Sequence, residues 1–326
     1  MASWRRPDRG LRTAPADSPG ADATGRGLVV VVNAGAGGGP ASALVGPSPV
    51  DRIRELLPAA EILRPETMDG LDDLLEEAAG RCRVLGVFGG DGTVRAGAAA
   101  ALRHSRPLLP LPGGTLNNFA ATLGLVTVDD AVRAYRRQRV GGVDIGEVDG
   151  RIFLNTASFG VQARLFDLRE QLRPRLGRWL SMAVAAWRAM HEAEPVDIAV
   201  DGRTYHAWWV FVGNGRHRTH ALLPTRRERL DDGVLDVRVL RARRPFRRLR
   251  GGLALVLGDW GPTSGYKHWR TPRITITADT AELRVACDGE TAPAPAVLLF
   301  HKHRRRLAVF HTRDAPAPRP TARRRA

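Results

Sequence analysis

The sequence predicts an α/β domain with a parallel sheet, followed by a mostly antiparallel β domain. Up to about residue 141, β runs alternate with helical patterns, an order typical of parallel strands joined by right-handed crossovers. Beyond that point, β runs follow one another, and Asp149-Gly150 and Asp201-Gly202 each separate two of them as a hairpin turn does. The length of 326 residues also suits two domains better than one.

The first half alternates between the periods of strands and helices. Strands are predicted at Leu28–Val32, Glu61–Leu63, Val84–Phe88 and Leu108–Leu111, and helices at Val50–Leu57, Met68–Ala79 and Val128–Gln138. A further helix is predicted between an N-cap at Thr115 and a stop at Gly124.

Three of these strands end in glycine-rich loops. The loops begin at Asn33, at Gly89 and at Gly113. Because the carboxyl ends of parallel strands share one edge of a sheet, we expect the three loops to converge there. A glycine turn at a helix N-terminus presents free N–H groups and the positive end of the helix dipole to an anion. The sequence therefore predicts a phosphate-binding edge.

The second half is read as β structure with two or three helices. Strands are predicted at Val143–Val148, Arg151–Asn155, Val196–Val200, Thr204–Val212, Leu235–Leu240, Ile274–Thr277, Leu283–Ala286, Val297–Phe300 and Leu307–Phe310, and helices at Val161–Leu172, Leu176–His191 and Phe246–Leu257. We place the domains at residues 27–141 and 142–312, the second with an end that can return to the first. Residues 1–26 and 313–326 are expected to be disordered.

Composition narrows the class of partner. The net charge is +16, with 50 basic against 34 acidic residues. This favours nucleotide phosphates, anionic lipid head groups or nucleic acid as partners, although arginine can also simply solvate a surface. Cys82 and Cys287 are too few for a disulfide framework, which fits a reducing, cytosolic setting. The longest apolar stretch, Leu176–Met190, is interrupted by Arg178 and Arg188 and predicts no membrane span.

Four motifs occur in a fixed order along the chain: GGDGT at 89–93, PGGTLNNFA at 112–120, RLDDGVLDV at 229–237 and CDGE at 287–290. The sequence resembles the bacterial diacylglycerol kinase-like lipid kinases over most of residues 27–310. GGDGT is shared with NAD kinases and phosphofructokinases, whereas the other motifs are specific to the lipid-kinase branch. The resemblance implies a nucleotide-binding α/β domain beside a β-sandwich domain.

The resemblance also implies ligands for ATP and Mg²⁺. The ATP-binding residues it implies are Asn33, Gly35, Gly37, Thr67, Gly89, Gly90, Asp91, Gly92, Thr93, Gly113, Gly114 and Thr115. The Mg²⁺ ligands it implies are the side chain of Asp232 and the carbonyls of Arg229 and Val234. The plainer alternatives are an Asx turn at Asn33, a helix cap at Thr115 and an ordinary turn around Asp232.

Two carboxylates are candidates for the catalytic base. The family assigns that role to the acidic residue that closes the DGE motif, which is Glu290 here, with Asp288 beside it. Asp91 can instead act as the base or organise water and the metal. Asp288-Gly289 can equally be an ordinary hairpin connection.

The chain departs from the family pattern at three places. The first loop reads Asn33-Ala-Gly-Ala-Gly37 and lacks the usual hydroxyl, so phosphate contacts there would come from the backbone. Arg95-Ala96 stands where the family often has Asn-Glu, and Asn117-Asn118 replaces the common Asn-Asp. An arginine at position 95 can contact phosphate or face solvent.

We therefore expect an ATP-dependent lipid kinase that transfers the γ-phosphate to a hydroxyl of diacylglycerol or a related lipid. The alternatives are a kinase of the same fold for a sphingoid base or NAD, and a basic binding protein without catalysis. We expect a cytoplasmic protein on the inner face of an anionic membrane, with no nucleic-acid partner; the sequence sets no oligomeric state. Membrane contact is expected from the stripe at Leu165–Met190 and from a block of arginines at 241, 243, 244, 247, 248 and 250.

Overall fold

The computed structural model describes residues 22–33, 48–65, 70–114, 116–161, 194–217, 229–242, 266–280 and 283–312, with Arg227 and part of the helical segment between 163 and 189. Four predicted ATP ligands lie outside the described residues: Gly35, Gly37, Thr67 and Thr115. The predicted helix Phe246–Leu257 and all of the arginine block except Arg241 also lie outside them.

The first domain is a parallel sheet with helices after its strands. Its strands are β1 (Leu28–Val32), β2 (Glu61–Leu63), β3 (Val84–Gly89) and β4 (Leu108–Pro112), and its helices are α1 (Pro49–Leu56), α2 (Leu71–Arg81), α3 (Asp91–Arg103), α4 (Asn118–Thr122) and α5 (Val128–Arg136). The strands pair in the order β2-β1-β3-β4, all in parallel. Every residue of β1 and of β3 is buried, as strands covered on both faces must be.

Polar caps set the starts of two helices. The hydroxyl of Ser48 accepts the N–H of Asp51 at the start of α1, where Pro49 occupies the first helical position. Thr127 and Asp130 form a capping box at the start of α5. These helices were expected from their apolar spacing, and their caps fix where they begin.

Two details of the glycine motifs differ from the prediction. Helix α3 was not expected, and because it begins at Asp91, Gly92 and Thr93 lie in its first turn and not in a loop. Its alanine-rich sequence shows no clear spacing of large apolar residues. The helix packs so closely on β3 that a Cβ on Gly97 would lie 2.4 Å from Cγ2 of Val87. The N-cap expected at Thr115 is wrong. Helix α4 begins at Asn118, and its cap position is Asn117, a left-handed residue with φ 49° and no side-chain cap.

The second domain is a largely antiparallel β-sandwich. Its strands are β5 (Val140–Val148), β6 (Arg151–Phe153), β7 (Thr156–Gly160), β8 (Val196–Val200), β9 (Arg203–Asn214), β10 (Leu235–Arg241), β11 (Tyr266–Thr271), β12 (Arg273–Ala278), β13 (Leu283–Cys287), β14 (Glu290–Ala294) and β15 (Val297–Phe310). The predicted hairpins at Asp149-Gly150 and Asp201-Gly202 are present, and all four residues have positive φ.

Strand β15 corrects one prediction and links the two domains. Val297–Phe300 and Leu307–Phe310 were expected as two strands, but they are the ends of one strand of 14 residues. Its pairing with β5 shifts register between His303 and Leu307. The residues between them are three arginines, which separate the two apolar runs of the sequence. Its final part also pairs in parallel with β4, with Val309 opposite Leu108.

Strands β7, β11 and β14 were not predicted. β7 begins directly after Leu154 and Asn155, where the expected strand Arg151–Asn155 in fact ends at Phe153. β14 contains Pro293, which depresses any strand prediction.

The apolar residues form three buried clusters, one in each domain and a small third one. Val161, Leu168, Ala185 and Ala189 pack against Trp208 in the third cluster. The described leucines of the 165–190 stripe, Leu165, Leu168 and Leu172, therefore belong to this cluster. Within the described residues, no helix is long and apolar enough to cross a membrane.

Candidate active site

Asp91 is the first residue of α3 and holds three parts of the molecule together. Its carboxylate accepts the N–H groups of Asn118, at 3.1 Å, and Phe119, at 3.0 Å, at the start of α4. It also accepts the side-chain Nδ2 of Asn155 from the second domain, at 3.3 Å. Burial raises the pKa of Asp91, and these three donors oppose that shift.

The glycine turns of the first domain lie against one another. A Cβ added to Gly114 would lie 2.4 Å from Cα of Gly90, so the second and third loops touch through their backbones. Asn33, which opens the first loop, donates its Nδ2 to Oγ1 of Thr93 at 2.8 Å. Gly89 packs on that threonine, and Gly113 packs on the ring of Phe88 in β3. The structure thus brings together the described residues of all three loops.

Asp288 organises the neighbouring wall from the second domain. Asp288, with φ 50°, and Gly289, with φ 93°, form the turn between β13 and β14. The carboxylate of Asp288 accepts the N–H groups of Leu154, at 2.6 Å, Asn155, at 2.8 Å, and Thr156, at 3.0 Å. Burial raises the pKa of Asp288 to about 6, the three N–H donors oppose the shift, and the charge of Asp91 adds to it.

Asn155 joins the two aspartates. Its N–H donates to Asp288 while its Nδ2 donates to Asp91. Asn155 was not predicted as a site residue, although it lies in the stretch 153–161 that the resemblance covers. The sequence pattern predicts a single strand over Arg151–Asn155, whereas Asn155 lies between two strands, β6 and β7. A recognised break between these strands would have placed Asn155 in a connecting turn.

Glu290 is the exposed carboxylate of the site. It is the first residue of β14, and its side chain is 51% exposed. A Cβ on Gly92 would lie only 2.1 Å from Oε1 of Glu290, so this side chain rests directly on the first turn of α3. Nη2 of Arg95, one helical turn further along α3, donates to Oε2 of Glu290. The DGE turn therefore connects β13 and β14 as a hairpin and also forms part of the candidate site.

The side chain of Asp232, a predicted Mg²⁺ ligand, already has hydrogen-bond and ion-pair partners. Both carboxylate oxygens of Asp232 already accept backbone N–H groups, from Arg216 at 2.8 Å and from Val234 at 3.2 Å. Nζ of Lys302 lies 3.7 Å from Oδ1 of Asp232. Within the described residues, no group of three or more His, Cys, Asp or Glu side chains is placed to hold a metal ion. With Lys302 as the neighbour of Asp232, this set does not fit a resident Mg²⁺, even though Arg229 and Asp232 bring oxygens of the right kind close to Gly215.

Lys302 and Arg227 are buried cations that sequence reasoning missed. Lys302 lies at 4% exposure on β15, and burial together with the charge of Arg227 lowers its pKa to about 7, while Asp144 and Asp232 act in the opposite sense. Arg227 donates to the backbone oxygens of Leu230, Asp144 and Leu154. Nothing in the sequence around either residue indicates that its side chain is buried.

Helix N-termini and glycine turns offer N–H groups to phosphate oxygens, while Glu290 offers a carboxylate to the proton of a hydroxyl. The class of protein this defines is a phosphotransferase with an alcohol group as acceptor. Residues 27–148 match the diacylglycerol kinase catalytic domain, and residues 155–308 match the YegS C-terminal NAD kinase beta sandwich-like domain. The chain belongs to this family of lipid kinases.

Two relatives agree with that membership, and a solved structure has a similar fold. The chain is 33% identical over 227 residues to the probable lipid kinase YegS-like of Pseudomonas aeruginosa strain PAO1, covering 67% of this chain and 73% of that protein. It is 36% identical over 220 residues to the protein of the same name from Pseudomonas syringae pv. tomato strain DC3000, covering 62% and 67%. A crystal structure described as a diacylglycerol kinase from Bacillus anthracis str. Sterne superposes with a TM-score of 0.59 at 23% identity, over 87% of this chain and 96% of that one. At this identity the structure supports the fold.

Proposed function

We propose that the protein transfers the γ-phosphate of ATP to a hydroxyl group of diacylglycerol or a related lipid. The observation that carries the proposal is the position of Glu290. Its half-exposed carboxylate rests on Gly92 in the first turn of α3, a helix whose N-terminus is suited to phosphate. The proposed base would then lie beside the proposed phosphate site.

The first domain is proposed to hold the nucleotide. The N–H groups at the start of α3 and the backbone of Gly113 and Gly114 would bind phosphate oxygens, and Asn33 would orient the loop that it opens. The guanidinium of Arg95, directed into the same cleft, would bind the transferred phosphate. Mg²⁺ would enter with ATP as part of the substrate, where it neutralises phosphate charge.

Glu290 is proposed as the proton acceptor. As the oxygen of the lipid hydroxyl bonds to the γ-phosphorus, its proton moves to Glu290 and the bond from that phosphorus to the β–γ bridging oxygen breaks, releasing ADP. Exposure of Glu290 lets the proton pass to water afterwards. Asp91 and Asp288 are proposed as positioning residues, because their carboxylates are engaged by backbone and Asn155 donors.

The acceptor is proposed to be reached at an anionic membrane surface. The net charge of +16 attracts such a surface, and the lipid kinase relatives support a lipid acceptor. We propose peripheral association with the inner face of the membrane and no role for nucleic acid. The 165–190 stripe contributes little to this proposal, because its described leucines pack in the third buried cluster.

A labelled-ATP assay against a panel of lipids in mixed micelles, with identification of the product, tests the proposal. We expect Mg²⁺-dependent transfer to diacylglycerol or a related glycerolipid. Labelling of a sphingoid base or of NAD would instead support one of the alternative kinases. Absence of any transfer by protein that still binds anionic vesicles would overturn the kinase proposal in favour of a lipid-binding protein.

A further inference from the structure

Lys302 is buried among oxygen atoms from three segments of the second domain. Its side chain is fully shielded from solvent, and its Nζ donates to Oδ1 of Asn214 at the end of β9. The same Nζ lies 3.6 Å from Oδ2 of Asp144 on β5 and 3.7 Å from Oδ1 of Asp232. One amino group therefore gathers an amide oxygen and two carboxylates.

The two aspartates need a positive partner, because both side chains are buried. The side chain of Asp144 has 0% exposure and that of Asp232 has 4%. Asp144 also accepts the N–H groups of Gly233 and Arg305, each at 2.7 Å, and these bonds leave its negative charge in place. An isolated buried carboxylate is strongly unfavourable, whereas one with a cation and hydrogen bonds is tolerated.

Two buried cations already accompany the two buried carboxylates. Lys302 and Arg227 supply two positive charges, and Asp144 and Asp232 supply two negative charges; Arg227 is 2% exposed. A divalent ion beside Asp232 would add two positive charges to a buried group that already holds two cations. Oδ1 of Asp232, the side-chain ligand expected for such an ion, already lies 3.7 Å from the ammonium, which would repel it.

The choice of lysine at this position is itself unusual for the chain. Of its 50 basic residues, 48 are arginine, and Lys267 and Lys302 are the two lysines. An ammonium is a compact charge with three donors that can point at three oxygens, whereas a guanidinium is a planar fork that needs more room. The position of Lys302 suits the smaller cation.

We propose that the ammonium of Lys302 is a built-in cation that takes the place of a resident divalent metal beside the loop 229–234. The second domain then holds its shape without bound metal. The cluster also supports the active site, because Asn214 and Arg227 both donate to the carbonyl of Leu154, the residue before Asn155. The proposal does not depend on which lipid is phosphorylated.

The test uses the full chain without nucleotide. Metal content and thermal unfolding are measured after EDTA treatment and after addition of Mg²⁺. We expect much less than one bound divalent ion per chain and the same Tm under both conditions. Lys302→Ala should lower the Tm by roughly 6 °C or more, since two buried carboxylates lose their partner. Mg²⁺ should then recover part of the loss, because the ion can enter the space that Lys302 leaves.

Lys267→Ala, at an exposed position on β11, is the matched control and should change neither the Tm nor its response to Mg²⁺. A wild-type protein that binds one divalent ion per chain, or whose Tm falls in EDTA and returns with Mg²⁺, would overturn the proposal. That result stands even if Lys302→Ala fails to fold. Loss of kinase activity in the lipid assay would bear on the proposed function and leave this inference untouched.

Discussion

The guanidinium of Arg95 and the carboxylate of Glu290 form an ion pair between the two domains. Arg95 comes from α3 and has a side chain that is 15% exposed, while Glu290 begins β14. Within the described part of the chain, Nε of Arg95 is buried without a hydrogen-bond partner. The pair therefore places a cation with unused donor capacity beside the proposed base and the proposed phosphate site.

Replacing Arg95 tests whether it binds the transferred phosphate. Arg95→Gln should lower kcat/KM for ATP by about 10- to 100-fold, the effect expected for a lost charged hydrogen bond. Arg95→Lys should recover part of the activity, because it keeps the charge. Steady-state kinetics over a range of ATP concentrations measure both. Arg284→Gln, which removes an exposed ion pair to Asp167, is the control and should leave the kinetics unchanged. A purely structural Arg95 would lower the Tm without changing KM for ATP.

The roles of Glu290 and Asp91 can be distinguished by how a substitution at each position changes the stability of the protein. Glu290→Gln should reduce kcat by about 10²- to 10⁴-fold through loss of the base, with little change in Tm because the side chain is half exposed. Asp91→Asn should abolish transfer and also destabilise the fold by about 1–3 kcal/mol, since it disturbs three hydrogen bonds. Urea unfolding and turnover are measured for each variant. Near-normal turnover of Glu290→Gln would exclude it as the base and return that role to Asp91.

Gly92 is predicted to be essential for activity more than for stability. An added methyl group would meet Oε1 of Glu290, the mobile end of a side chain, and would displace it from the cleft. We therefore expect Gly92→Ala to lose most of its kcat while its Tm changes little. Gly80→Ala on α2 is the control: its Cβ would have 3.6 Å to the nearest atom, so it should keep full activity and gain about 0.5–1 kcal/mol. Full activity of Gly92→Ala would contradict the assignment of Glu290.

Asp288 should give the protein a measurable pH dependence. Its folded-state pKa of about 6 lies above its ordinary value of 3.8, so its contribution to stability is complete below about pH 4 and is lost as the pH rises through about 6. The loss is on the order of 3 kcal/mol. Urea unfolding of the wild type and of Asp288→Asn between these pH values measures this loss of stability. The stability of the wild type relative to the variant should fall as the pH rises, and a constant difference would show that Asp288 does not titrate in this range.

The arginine block at positions 241–250 is predicted to bind anionic membranes. Exchanging its arginines for glutamine should weaken binding to vesicles that contain anionic lipid and reduce the salt dependence of binding. Turnover on a soluble short-chain lipid should stay the same. Vesicle sedimentation at two salt concentrations and a turnover assay measure the two effects. Loss of both would place the block in the active site.

Much of the fold follows from periodicity, and the failures have local causes. The buried run of β3 and the Asp-Gly hairpins were predictable because burial and turn chemistry leave strong local patterns. Helix α3 was missed since its alanines carry no apolar stripe, and β15 was divided because three consecutive arginines interrupt its middle.

The candidate site was predictable in its motifs but not in its connections. The glycine motifs and the DGE turn are visible in the sequence, and the structure brings their described residues together. Asn155 and Lys302 could not be found, because a bridging amide and a buried ammonium are defined by partners more than fifty residues away. A single sequence contains no record of those distances.

The parallel pairing of β15 with β4 determines when the sheet of the first domain can be completed during synthesis. The first domain's sheet is built from the first third of the chain, yet the neighbour of β4 is supplied by residues near 309. On the ribosome, the edge of β4 therefore stays open until almost the whole chain has emerged, and the N-terminal domain cannot complete its sheet ahead of the C-terminal one. The nascent chain is exposed to aggregation at that edge for most of translation.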